Sequence, residues 1–470
     1  MPASPAQALA QLWQAAGLDP AARVHARLDG EAVLPSSFAA DLAAQAAIAA
    51  AGLAAASLHR LRGGDWQAVR VDRRHAAIEC RSERYLRVDG LPAPDPWDAI
   101  AGAYRCGDGR WVRLHTNFPH HRDGVLDLLR CSHQREAVTQ ALQRWRAEEF
   151  EQAAAERGLV VAMARSFEQW DAHPQAAALA ALPPFTLEKI GDAPPWRPTR
   201  AARPLAGLRA LDLTRVIAGP VCGRTLAAHG AEVLLLSSPN LPSIAPLVVD
   251  TGRGKRSSHL DLRGDGGPAA LDRLLDQADL FVQGYRPGGL AALGFGPEAV
   301  AARRPGIVYV SLSAYGHVGP WAGRRGFDSL VQTATGFNRA EAQAAGQDGL
   351  RPLPMQILDH ASGYLMALGA MAALHRRATE GGSWHVRVSL AQTGRWLRGL
   401  GRVDGLARPD PGFDTVGDLL EEVDSGFGRL TVVRHAAQLA ATPAAWARPS
   451  VPLGTHAAAW PCDELTPQPL

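Results

Sequence analysis

Apolar residues recur along this chain with two periods. From 365 to 377 alanine and leucine dominate, which predicts a long buried helix. Asp359 stands just before it, in Leu358-Asp359-His360-Ala361-Ser362-Gly363-Tyr364. A turn follows at Glu380-Gly381-Gly382-Ser383. Residues 384–390 then alternate, Trp384-His385-Val386-Arg387-Val388-Ser389-Leu390, as a strand does. Further upstream, 208–213 and 232–236 are short apolar runs. Between them Gly219-Pro220 opens a helix reaching His229. Additional strands are expected at 280–282 and 307–312. Strands alternating with helices imply a parallel, doubly wound sheet, so the fold class is α/β. The alanine-rich run 42–58 carries Gln45 and follows Asp41, and reads as a second buried helix rather than a bilayer span.

A proline-rich connector, Gly191-Asp192-Ala193-Pro194-Pro195-Trp196-Arg197-Pro198, divides the chain. The expected organisation is 1–190, a linker at 191–206, and 207–470. A repeat crosses this divide. Asp41, an alanine-rich helix, His59-Arg60, Gly63-Gly64, Trp66 and Val69-Arg70-Val71 parallel Asp359, its helix, His375-Arg376, Gly381-Gly382, Trp384 and Val386-Arg387-Val388.

Composition narrows the function. A length of 470 residues suits two or more domains. With 47% hydrophobic and 20% charged residues, the chain reads as soluble and globular. A net charge of +3, with no basic cluster interleaved with aromatics, argues against nucleic acid. The five cysteines show no metal-ligand spacing, and their sparse, odd number suits free thiols in a reducing compartment. Residues 1–18 lack the pattern of a secretory signal, so cytoplasm is the expected location. Neither GxGxxG nor a lysine-bearing phosphate loop occurs, which disfavours an NAD enzyme or an ATPase.

Asp359 has an ordinary reading, as a helix N-cap. It also has a chemical one, since a carboxylate at the start of a buried helix can serve as a nucleophile. The surrounding motifs favour the second. They are Leu211-Asp212-Leu213-Thr214 with Ala218-Gly219-Pro220, then Gly230-Ala231-Glu232-Val233, then Lys255-Arg256-Ser257 with Leu260-Asp261-Leu262. Next come Arg286-Pro287-Gly288 with Leu293-Gly294, Ser313-Ala314-Tyr315-Gly316 with Gly319-Pro320, and Pro452-Leu453-Gly454-Thr455-His456. In this order they resemble the CaiB/BaiF class III CoA-transferases, a family that includes formyl-CoA transferase and α-methylacyl-CoA racemase. Segments 104–112 and 148–175 resemble that family's small domain, placed here ahead of the sheet. The chain therefore looks like a rearranged, tandem-like member.

The resemblance implies a Rossmann-like parallel-sheet domain with a smaller α+β domain. It implies an acyl-CoA and a carboxylic acid as substrates, with no cofactor beyond the CoA thioester, no metal, no nucleic acid and no membrane. Asp359 would be the catalytic residue, passing through an acyl anhydride and an aspartyl-CoA thioester. Val216, Ile217, Ala218, Lys255, Gly284, Tyr285 and Arg325 match positions around CoA, and Gly107 and Gly109 an active-site loop. Family members are interlocked homodimers, so a homodimer is expected unless one chain supplies both parts. Three departures stand out. Leu234-Leu235-Leu236-Ser237-Ser238-Pro239 lacks the usual Lys-x-Glu, Ile217 replaces a glutamine, and Phe327-Asp328 lacks the histidine of the racemase branch. A racemase or isomerase, with His360 as a candidate base, and a non-catalytic CoA-binding paralogue are the alternatives.

Overall fold

The computed structural model describes residues 2–461; Cys462 lies outside them. The first long element is helix α1, Ala40–Leu61, buried over almost its whole length because alanine and leucine occupy nearly every face. The central sheet comprises β1 (Phe185–Gly191), β2 (Arg209–Leu213), β3 (Glu232–Ser237), β4 (Lys255–His259), β5 (Leu280–Gln283), β6 (Val308–Ser313) and β7 (Ser383–Ser389). Its order is β4-β3-β2-β5-β6-β7-β1. All neighbours run parallel except β7 and β1. The order reverses beside β2, where β3 and β5 lie on opposite sides. In such sheets the crevice for a ligand opens at that point, beyond the carboxyl ends of the strands.

Two helices line that region. Helix α2 (Ala218–Ala228) follows β2, and helix α3 (Ile357–Thr379) precedes β7. Helix α3 packs against both α1 and α2. Small residues permit this closeness. A Cβ on Gly363 would lie 2.5 Å from the Ala218 carbonyl oxygen and 2.7 Å from Val221 Cβ. Helices α1 and α3 are both long and apolar enough to cross a bilayer, yet here they form the core between the two halves of the chain.

The strands expected in the second half are present within a residue or so. β4 was not anticipated, because Lys255, Arg256, Ser257, Ser258 and His259 show no apolar alternation. The repeat is real at the level of elements: a long helix and then a strand, Val69–Asp72 in one copy and β7 in the other.

The division at 190/191 does not separate two sheets. β1 lies before the connector and forms the edge of the central sheet. Conversely, Gly428–Val433 pairs with Arg87–Val88, and Ala437–Leu439 pairs with Val69–Asp72. Arg62 fixes the end of α1 to the connector through the carbonyls of Thr199, Pro204 and Ala206. A smaller α+β unit with its own core is formed by Gly102–Arg105, Trp111–Leu114 and Val161–Met163 with three covering helices.

Replacing Gly363 by alanine tests the α2–α3 approach. Glycine to alanine usually stabilises a helix interior. Here we expect a loss of about 1–3 kcal/mol in urea unfolding, because the added methyl meets backbone. A neutral or stabilising change would mean the helices are not so close.

Candidate active site

Helix α3 begins at Ile357, two residues before Asp359, so Asp359 lies in the first turn rather than at the N-cap. Asp328, at the start of the helix Asp328–Ala334, takes over the capping role. Its Oδ2 accepts the Asp359 N–H at 2.9 Å. The Asp359 carboxylate is thereby left without a hydrogen-bond partner among the described residues. It is also buried, at 7% exposure. Burial, then the charges of Asp328 and Glu83, raise its pKa well above the ordinary carboxylate value. Asp328 is raised too, chiefly by burial. Two carboxyls this close titrate as a pair.

Glu83 reaches the site from the first half, in the short helix Ser82–Tyr85. His360 Nε2 lies 3.2 Å from its Oε2. Burial opposes the Glu83 carboxylate, but the hydrogen bond and charge of His360 prevail and hold its pKa below the usual value. His360 is fully buried in this contact and lines neither cavity described below.

Asp359 sits where two cavities meet. The larger, about 1030 Å³, lies at the carboxyl ends of the strands. Val216, Ile217, Ala218, Gly284, Tyr285 and Arg325 all line it. Its charged lining is mostly cationic: Arg215, Arg263, Arg286, Arg324 and Arg325 against Asp261 and Asp359. Phe118, His120 and His121 roof it from the small unit, with Arg215 stacked 5.1 Å from the Phe118 ring centroid. Val216 has φ of +74°, a strained conformation for a β-branched residue. It precedes the N-terminus of α2, where backbone N–H groups favour anions.

The smaller cavity, about 250 Å³, lies on the other side of Val216, Ile217, Phe327 and Asp359, which border both spaces. Its remaining walls include 92–97 and Arg84, Arg87, His115 and Asn117 of the first half, with Ile244, Leu247, Ser329 and Gln356. His115 stacks on Phe327 at 3.9 Å, and burial above all lowers its pKa to about 3, so it is neutral.

Two expectations about position fail. Lys255 does not reach the cleft. Its Nζ is buried and bonds Asp212 Oδ2 and the Pro220 carbonyl, each at 2.8 Å. Although β4 is an edge strand, α2 covers the start of it, so Lys255 has no route outward. The cleft's arginines supply the positive charge instead. Gly107 and Gly109 line neither cavity. They form the hairpin turn after Gly102–Arg105, and Gly107 N–H bonds the Leu142 and Trp145 carbonyls. The other end of that hairpin, at His115 and Asn117, is what faces the site. Asp41 is likewise spent locally, accepting the Val33 and Leu34 N–H groups. Sequence reading missed Glu83, Asp328 as cap, and the cleft arginines other than Arg325. Only the adjacency of Asp328 to the Gly323–Gly326 loop offered a hint.

Residues 205–401 match the model of CoA-transferase family III. Over these residues the chain is similar to that family. An acyl-CoA transferase of Gibberella moniliformis is 30% identical over 374 residues, covering 68% of this chain and 63% of the relative. A probable fatty acyl-CoA transferase of Mycobacterium tuberculosis is 34% identical over 202 residues, covering 40% and 51%. The crystal structure of a Mycobacterium tuberculosis protein aligns at 32% identity over 42% of this chain and 57% of that one, with a TM-score of 0.40. The chain thus spans less than two thirds of each of these relatives.

Lys255→Met should cost about 3–5 kcal/mol in denaturant unfolding, because Asp212 would be left buried and unpaired. A variant of native stability that had lost only CoA affinity would restore the phosphate role. Asp328→Asn should move the acid limb of any Asp359-dependent pH–rate profile to lower pH, since removing a neighbouring negative charge lowers the pKa of Asp359. An unmoved or upward-shifted limb would show that the two carboxyls are not coupled.

Proposed function

We propose that the chain is a class III CoA-transferase, with a Rossmann-like sheet domain closed by the smaller α+β unit, and that Asp359 is its nucleophile. One observation carries this reading. Asp359 presents an unbonded carboxylate at the wall shared by a cation-lined cleft and a second, smaller cavity, while Asp328 performs the capping that would otherwise occupy it.

CoA would lie in the larger cleft, with its phosphates among Arg215, Arg263, Arg286 and Arg325 and its thioester at Asp359. The donor acyl group would enter the smaller cavity. The Asp359 carboxylate attacks the thioester carbonyl and expels CoA thiolate, leaving a mixed anhydride. The thiolate attacks the Asp359 carbonyl of that anhydride, releasing the donor acid and forming an aspartyl-CoA thioester. An acceptor carboxylate displaces the thiolate from Asp359, giving a new anhydride. Thiolate attack on the acceptor carbonyl completes the new acyl-CoA and frees Asp359. The backbone N–H groups at 216–218 are the nearest candidates to hold the oxyanion.

An anhydride demands exclusion of water. Phe118, His120, His121 and 92–97 supply the cover within one chain, which weakens the need for an interlocked dimer. The racemase alternative loses support, because His360 is committed to Glu83 and does not face either cavity.

With an acyl-CoA, intact-mass measurement should reveal CoA bound to Asp359, and hydroxylamine should inactivate the acylated enzyme. Asp359→Ala should still bind CoA but lose turnover by on the order of 10⁴-fold or more. Substantial residual transfer in that variant would refute the assignment.

A further inference from the structure

Asp328 can cap helix α3 only if the chain that leads to it is held in place. That chain, 314–327, follows β6 and contains neither helix nor strand. Its backbone groups have no ladder to join, and a side chain of the first half satisfies several of them. Gln175, in the helix Pro174–Leu179, is fully buried. Its Nε2 donates to the carbonyls of Tyr315 and Val318, at 2.7 and 2.8 Å. Its Oε1 accepts the Trp321 N–H at 2.7 Å. Two acceptors and one donor admit a single orientation of the amide. Gly319, at φ of +86°, permits the approach, since a Cβ there would lie 2.6 Å from that Oε1.

Glu151 holds the next stretch. It is buried in the small unit's helix Ala147–Glu156, where it pairs with Arg165 and accepts the Met163 N–H at 2.8 Å. Arg324 lines the cleft, yet its charge is met by this same carboxylate at 3.4 Å. Arg325 donates to the Gly158 carbonyl at 3.0 Å. Phe327 then stacks on His115. Each of these contacts joins the loop to residues 115–175 of the first half. Positions 323 and 326 are glycine, so the loop has little stiffness of its own with which to fix its end. That end is Asp328, whose carboxylate bonds the Asp359 N–H.

Resting on the transferase reading above, we propose that Gln175 is a positioning residue for the reaction, with Glu151 as the second. Acting through the loop 314–327, they set Asp328 at the start of α3 and so keep the Asp359 carboxylate unbonded and beside a like charge. Neither touches the substrate. Docking of the first half is then a condition for the reactivity of the nucleophile as well as for its cover from water. With the loop released, Asp328 would draw away and the first N–H groups of α3 would lose their acceptor. The Asp359 side chain would then turn back onto its own helix end, as a carboxylate in the first turn can.

The readout is the rate of CoA adduct formation on the full chain, followed by intact mass against pH, with acetyl-, butyryl- or succinyl-CoA, whichever labels the wild type. Gln175→Met keeps the size of the side chain and removes its hydrogen bonds. It should slow adduct formation by on the order of 10- to 100-fold, the effect of a small misplacement at the reacting group. It should also move the acid limb of the profile to lower pH, because Asp328 no longer stands beside Asp359. Asp328→Asn should move the limb the same way, and adding Gln175→Met to it should move the limb no further. Glu151→Gln should give the same pattern to a smaller degree, and carries the test if Gln175→Met does not fold. A residue of structural importance alone would lower the unfolding midpoint and leave the limb in place. That result in a folded variant, or a shift that adds in full to that of Asp328→Asn, would overturn the proposal. In the wild type the Trp321 amide should exchange with deuterium far more slowly than an exposed loop amide. Exchange at the exposed-loop rate would overturn the proposal without any variant. No labelling of the wild type by any of the three thioesters would sink the transferase reading and this one with it, whereas labelling with an unmoved limb sinks only this one.

Discussion

The packing of α1 on α3 is the constraint from which the rest follows. Both helices are so rich in alanine that they bury every face, and neither could stand in water alone. One belongs to the first half of the chain and the other to the second. Their association, extended by β1 at the sheet edge and by the returning C-terminal strands, makes one body from two sequence segments. It also sets Glu83, 92–97, His115 and Phe118 against the ends of the central strands. Without that docking Asp359 would face an open cleft.

Within this frame the site depends on a division of labour between two aspartates. A helix start must satisfy its free N–H groups, and Asp359 is the nearest carboxylate in sequence. Asp328 does the work from across the fold, so the Asp359 carboxylate is left without a hydrogen-bond partner among the described residues. Both carboxyls are thereby buried within reach of each other and of Glu83. Burial and like charge raise the pKa of the unbonded member, while His360 holds Glu83 ionised. A carboxyl kept basic in a covered site is a better nucleophile toward a thioester than one stabilised by hydrogen bonds.

The positive charge is distributed differently. Lysine is rare in this chain, and the one at the cleft strand is consumed beneath α2, bracing the turn that carries the strained Val216. Arginines do the outward work. Their longer, forked side chains reach past the strand ends into the larger cleft, and two more enter the smaller cavity from the first half. The loss of Lys-x-Glu after β3 therefore does not leave the cleft without cations.

The sequence by itself determined the α/β class, the order of the principal strands, the two buried helices, the repeat, and Asp359 as the residue of interest. These are local properties: apolar period, turn residues, and motifs read in order along the backbone. β4 escaped because its polar residues are buried by neighbours distant in sequence, so no alternation marks it. Gly107 and Gly109 were misplaced because a glycine turn has the same local signature wherever its hairpin points. Lys255 was misplaced because charge on a strand says nothing of what covers it. That Asp328 caps α3, that Glu83 meets His360 across 277 residues of chain, and that Asp359 borders two cavities were decided only by the tertiary structure. Each depends on through-space distance between segments whose separation along the chain carries no trace of it.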